Sequence, residues 1–199
     1  AVGQTGTSKT SVIKNYLLRG PASDVAINIP IFMNFSARTG VNQTQDFVDG
    51  KMEKRRKGIY GPVAGKKFIL FVDDLNLPNK EQYGAIPVIE LLRQFLDHGG
   101  WYDRDELFFK HIVDTYLVSA MGPPGGGRQA ITNRMQRHMN FLTFPEMNDN
   151  GLRGIFNTII DWWANRSFTT ATAGEHAPSV QQVCTRLVDA SLQVYNMAR

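Results

Sequence analysis

The chain has few of the features that mark secreted, membrane-spanning or repetitive proteins. It holds one cysteine, Cys184, so no internal disulfide can form, and the apolar helical pattern around it reads as a buried, inert thiol in a reducing compartment. No apolar run reaches the roughly 20 residues a membrane helix needs, so no membrane is expected among its partners. The N-terminus lacks the basic, apolar and small-residue regions of a secretory signal. Without that context, the glycosylation-like triplets at Asn34, Asn42 and Asn165 are read as chance. No repeat recurs at the roughly 20–50 residue period of solenoids.

What is present is an ordinary globular balance. Hydrophobic residues make up 42% of the 199 and charged residues 20%, enough for one medium domain or one domain plus part of another. The net charge of +4 is mostly local, from Lys51 and Lys54-Arg55-Arg56-Lys57 to Lys66-Lys67. Such a run invites a nucleic-acid reading, but Tyr60 alone is interleaved, which makes a poor stacking surface for bases. The run is read as a solvated helix end and loop, with no nucleic-acid partner.

Apolar spacing sets out alternating elements. Val12, Ile13, Tyr16 and Leu17 recur as on a helix that stops at Gly20-Pro21, and Ile29 to Phe35 reads as a buried strand. A second helix is expected over Asn42 to Lys57 and a loop over Gly58 to Gly65. Phe68 to Val72 is continuously apolar, the pattern of a strand covered on both faces in a parallel sheet. A helix over Ile86 to Leu96, an inserted hairpin over Trp101 to Lys110, and strands over Ile112 to Ala120 and Met139 to Phe144 follow. From Asn148 the pattern turns helical, passes a polar stretch at Ser167 to Pro178, and ends in an amphipathic helix. Trp162 and Trp163 are expected to pack between two subdomains. The fold class is α/β, a parallel sheet flanked by helices, with residues 1–147 as the α/β part and 148–199 as the start of a helical lid.

Two motifs carry chemistry. Gly3-Gln4-Thr5-Gly6-Thr7-Ser8-Lys9-Thr10 has the pattern of a phosphate loop, in which backbone N–H groups at a helix N-terminus point at phosphates. Lys9 is placed to reach the β and γ phosphates and the Thr10 hydroxyl to ligate Mg²⁺. Ser8 stands where the consensus has glycine, at a position that can demand a backbone angle serine dislikes. The second motif is the apolar strand ending in Asp73-Asp74. Asp73 is expected to act on the metal through water and Asp74 to polarise the attacking water as general base. The plainer reading, that the two aspartates cap a turn, fits the order and spacing of the motifs less well. Aspartate is one methylene shorter than the glutamate common at the second position, so binding is better supported than turnover. Only Ala1-Val2 precede the phosphate loop where a first strand belongs, so the chain is expected to be cut from a longer one.

In its longer strings the chain resembles a AAA+ module, specifically the third AAA+ module of an axonemal dynein heavy chain, over nearly its whole length. The strings are Asn34-Phe35-Ser36-Ala37-Arg38-Thr39, Lys54-Arg55-Arg56-Lys57-Gly58-Ile59-Tyr60-Gly61-Pro62, Val72-Asp73-Asp74-Leu75-Asn76-Leu77-Pro78 and Ala120-Met121-Gly122-Pro123-Pro124-Gly125-Gly126-Gly127-Arg128. The resemblance implies a ring of six linked modules in one heavy chain, assembled with other dynein chains and moving on microtubules in cilia and flagella. It implies an ATP/ADP and Mg²⁺ site that regulates hydrolysis in the first module. Arg134 and Arg137 are then expected to face the nucleotide of a neighbouring module, while His138 packs or makes a local hydrogen bond. A polar sensor position falls at Gly122, which cannot sense a γ-phosphate. Ser8, Asp74 and Gly122 point to binding with slow or absent hydrolysis. The alternative is a structural ring segment that holds no nucleotide.

Overall fold

The computed structural model describes residues 1–20, 27–167 and 177–198. Strand β1 (Val2–Gly3) leads into helix α1 (Lys9–Arg19), and β2 (Asn28–Asn34) into α2 (Val41–Asp49). Strands β3 (Glu53–Arg56) and β4 (Ile59–Gly61) precede β5 (Lys67–Asp73) and α3 (Pro87–His98). Then come β6 (Gly100–Tyr102), β7 (Phe109–Ile112), β8 (Thr115–Ser119), α4 (Asn133–Gln136) and β9 (Thr143–Phe144). These elements form one compact unit, Ala1–Pro145. A second unit, Glu146–Arg199, carries α5 (Asp149–Ser167) and α6 (Ala177–Ala198).

The main sheet is parallel throughout. β5 pairs with β2 on one side and β8 on the other, β1 pairs with β9, and Val2 bridges Met121 just beyond β8. The strand order is therefore β2-β5-β8-β1-β9. Alternate side chains of β5 leave by opposite faces, as the period of a strand requires. Phe68, Leu70 and Val72 share a core with Val88, Ile89, Leu92 and Phe95 of α3, while Phe71 packs with Leu17 of α1 and Ala120. Covered on both faces, the strand can be apolar without interruption. Pro87 opens α3, where its missing N–H is one the helix start could not use.

A second, four-stranded sheet has the order β3-β4-β7-β6, with β4 and β7 parallel and the outer pairs antiparallel. It corrects the helix expected over Asn42–Lys57. That helix ends at Asp49, and Gly50 closes it by donating to the Asp46 carbonyl at 2.9 Å. The basic run beyond is strand and turn. Arg55 is held by Asp114 at 2.5 Å and by the Pro62 carbonyl, and Ile59 and Tyr60 supply the pairing edge. The loop expected over Gly58–Gly65 thus contains β4. The hairpin expected over Trp101–Lys110 is present as β6 and β7, with Trp101 buried against Phe95 at 5.9 Å between ring centroids. Ile112 belongs to that hairpin rather than to β8, and the strand expected from Met139 shrinks to Thr143–Phe144.

In α1, Val12 and Tyr16 are exposed, and Ile13 and Leu17 alone face the core. In the second unit Leu152, Phe156 and Ile160 of α5 pack with Val188 and Leu192 of α6. Cys184 is buried, as expected. Trp162 and Trp163 are exposed, the first with Arg166 over its ring at 5.5 Å. Most of the polar stretch Ser167–Pro178 lies outside the described residues. No helix among the described residues is long and apolar enough to cross a membrane.

Candidate functional site

Parallel order brings the carboxyl ends of β1, β5 and β8 to one edge, where ligands of such sheets bind. The turn between β1 and α1 is the phosphate loop. Gly6 takes φ +82° and Ser8 φ +60°, both left-handed. The consensus glycine's angle is therefore kept by a serine, at a strain of order 1–2 kcal/mol. Ser8 is exposed, and its carbonyl accepts from the Val12 N–H at 2.9 Å to start the helix. Thr7 is buried and donates to the Gln4 carbonyl at 2.9 Å, which closes the loop on itself.

Lys9 Nζ donates to the Gln4 carbonyl at 2.6 Å and to Thr7 Oγ1 at 3.2 Å. Its pKa is lowered, first by desolvation and then by the charge of Arg128, against the opposing pull of Asp73 and Asp74. Thr10 Oγ1 donates to Asp73 Oδ1 at 2.9 Å. A hydroxyl and a carboxylate brought together beside a phosphate cradle suit Mg²⁺, which takes one or two protein oxygens and completes its shell with water and phosphate. Asp74 follows in a left-handed conformation, φ +53°, its N–H donating to Asp73 Oδ1 at 3.2 Å. Its carboxylate is partly exposed at the same pocket, which Thr5, Gly6, Ser8, Lys9, Thr10 and Gly122 also line. Of the motif positions, Thr5, Gly6, Ser8, Lys9, Thr10, Asp73 and Asp74 line this pocket, while Gly3 lies in β1 and Gln4 and Thr7 brace the loop from within.

The two arginines expected to act on a neighbour lie elsewhere. Arg134 is exposed in α4 and makes no ion pair among the described residues. Arg137 binds Asp97 of its own chain, with His138 Nε2 on the same carboxylate at 2.7 Å. Asp97 also pairs with Arg93. Desolvation pushes the Asp97 carboxyl up, but Arg137 and then His138 outweigh it and hold it at about 2.

Two residues, one lining the pocket and one buried behind its glycine loop, carried no role in the sequence. Arg128 Nη2 lies 3.5 Å from Thr5 Oγ1 and 3.7 Å from Asp74 Oδ1. Asn76, 1% exposed, donates through Nδ2 to the carbonyls of Gly122 at 2.9 Å and Gln129 at 3.1 Å. The available signal was a glycine run ending in a cation straight after an apolar strand.

Residues 1–147 match the model of the family described as P-loop containing dynein motor region. The chain is 49% identical over 200 residues to "Dynein axonemal heavy chain 1" of Homo sapiens, an alignment covering 98% of this chain and 5% of that protein. It is 50% identical over 167 residues to human "Dynein axonemal heavy chain 3", covering 84% and 4%. Human "Dynein axonemal heavy chain 6" is 39% identical over 98% of the chain and 4% of its own length. The chain thus spans about 5% of the length of these relatives. With its phosphate loop, acidic strand end and parallel sheet, the chain belongs to the family of P-loop-containing dynein motor regions.

Proposed function

We propose that the chain is a nucleotide-binding regulatory AAA+ module of an axonemal dynein motor, holding ATP or ADP with Mg²⁺ and hydrolysing ATP slowly or not at all. The observation that carries the reading is the Thr10–Asp73 hydrogen bond of 2.9 Å beside Lys9, which pre-assembles a metal and phosphate site. Thr10 directly and Asp73 through water would hold Mg²⁺, which when bound would neutralise charge on the phosphates. Asp74 offers a short arm as general base, and Gly122 has no side chain to contact a γ-phosphate. Residues 1–147 then form the large α/β subdomain and residues 148–199 the linking helix and the start of the lid.

Likeness to the axonemal heavy chains supports a place in a ring of linked modules, third in order, within a motor that moves on microtubules in the axoneme of cilia and flagella. Its nucleotide state would gate the main hydrolysis site. Toward a neighbouring module's nucleotide Arg134 is free to act, whereas Arg137 must first leave Asp97.

The test is Lys9→Ala in the complete heavy chain. Nucleotide retained per chain is expected to fall by one equivalent, and microtubule-activated turnover to change without loss of the main site. Retention equal to wild type would sink the reading in favour of a structural segment.

A further inference from the structure

A glycine at the sensor position removes one polar contact with a terminal phosphate, yet the space is not left empty. A Cβ built at Gly122 would lie 2.5 Å from both Cδ and Nε of Arg128. The stem of Arg128 therefore runs through the volume a sensor side chain would fill, and only glycine allows it. The guanidinium is held there by the loop. Gly125 and Arg128 exchange backbone hydrogen bonds at 3.1 and 3.0 Å, across a turn whose three glycines all have positive φ. Asn76 clamps both ends of that loop, at Gly122 and Gln129.

The charge so placed lacks an adequate partner. Arg128 Nε is buried and has no hydrogen-bond partner among the described residues. Nη2 makes only the long contacts to Thr5 and Asp74, at 3.5 and 3.7 Å. It also faces a second cation, since Arg128 is one of the charges that lower the Lys9 pKa. Two cations on one pocket ask for a polyanion, and the Nη groups of a planar guanidinium, of which Nη2 reaches toward Thr5 and Asp74, suit forked contact with phosphate oxygens. Asp74 marks where on that anion the contact falls. In P-loop sites the acidic strand end lies on the side of the terminal phosphate, and Arg128 lies beside Asp74 in the pocket that Lys9 also lines.

We propose that Arg128 binds the terminal phosphate of a nucleoside triphosphate in this pocket and so distinguishes triphosphate from diphosphate, taking over the role that Gly122 cannot perform. With a diphosphate the guanidinium stays with Thr5 and Asp74; a third phosphate draws it off Asp74. Asn76 acts as a positioning residue through the loop. The proposal rests on the nucleotide reading above, and deepens it.

The experiment uses the complete heavy chain carrying this segment, photolabelled with 8-azido-ATP and read only at peptides from residues 1–147, with ATP or ADP as competitor. Arg128→Ala is expected to raise the ATP concentration for half-competition about tenfold and to leave that for ADP within about twofold. Gly122→Ala, which displaces the arginine stem, is expected to do the same, and the double variant no more than either. Arg128→Lys, which keeps the charge but not the fork, should fall between. Unchanged competition by both nucleotides in both single variants overturns the role of Arg128 while leaving nucleotide binding intact, as does an equal loss for ATP and ADP in Arg128→Lys. No labelling of wild type, or labelling indifferent to Lys9→Ala, overturns the nucleotide reading and this inference with it.

Discussion

Thr10 and Asp73 meet across the pocket, hydroxyl to carboxylate, at 2.9 Å. One lies in the first turn of a helix and the other ends a strand, and their contact gathers the two groups proposed to hold the metal. Asp73→Asn is expected to weaken nucleotide binding in the presence of Mg²⁺ by roughly 10–100-fold, the usual cost of losing an outer-sphere partner. In excess chelator the variant and wild type should bind alike. A variant that loses affinity equally with and without Mg²⁺ would show Asp73 to be a packing residue.

The neighbouring aspartate gives a prediction about turnover. Asp74→Glu lengthens the arm of the proposed base by one methylene, and a positioned base contributes about 10²–10⁴-fold to such steps. After minutes in ATP, electron cryomicroscopy of the complete wild-type motor should show a terminal phosphate in this pocket, and the Asp74→Glu motor should not. If wild type already shows a diphosphate there, Asp74 is long enough.

Ser8 makes a prediction about stability. It sits at φ +60° with no side-chain cap bond to the helix it precedes. Glycine accepts that angle freely, though it also gives the unfolded chain more freedom. Ser8→Gly should therefore strengthen the first turn of α1 by no more than about 1 kcal/mol, seen as up to about fivefold slower amide exchange there. Faster exchange in the variant would mean that Ser8 stabilises the loop by a route other than its backbone.

Asp97 predicts a pH dependence. Held at about 2 by Arg137 and His138 against desolvation, it takes up a proton less readily folded than unfolded, where a carboxyl titrates near its ordinary value of 3.8. Its contribution is thus complete above the ordinary value and is lost as pH falls toward 2. Urea unfolding of Asp97→Asn is expected to give lower stability at neutral pH and a shallower fall between about pH 4 and 2. An identical fall in both proteins would remove Asp97 from the acid response.

What could be read in advance was what is written locally. Phe68 to Val72 declares a doubly covered strand by its own composition, and Lys9, Thr10, Asp73 and Asp74 occur in motifs whose spacing already implies a shared edge. The β3 strand was not legible, because Glu53 to Arg56 has no apolar alternation of its own. It is a strand through β4, and β4 through His111 and Ile112, far along the chain. Arg128 was hidden for the same reason. Nothing in a glycine run says that its last residue will cross Gly122 to reach Thr5 and Asp74. A role that exists only between distant residues leaves no local mark.

The second sheet has a mechanical meaning. Its two hairpins leave the main fold at separate points, yet β4 and β7 are laced in parallel register, Ile59 to His111 and Tyr60 to Ile112. Trp101 roots this sheet among the side chains of α3, and Lys110 ties it to Asp49 of α2 at 3.0 Å. A push on the basic tip of β3 cannot be absorbed there without breaking ladder bonds. Trp101 and Lys110 connect the ladder to α3 and α2, so the second sheet is fastened to the layer that covers β5.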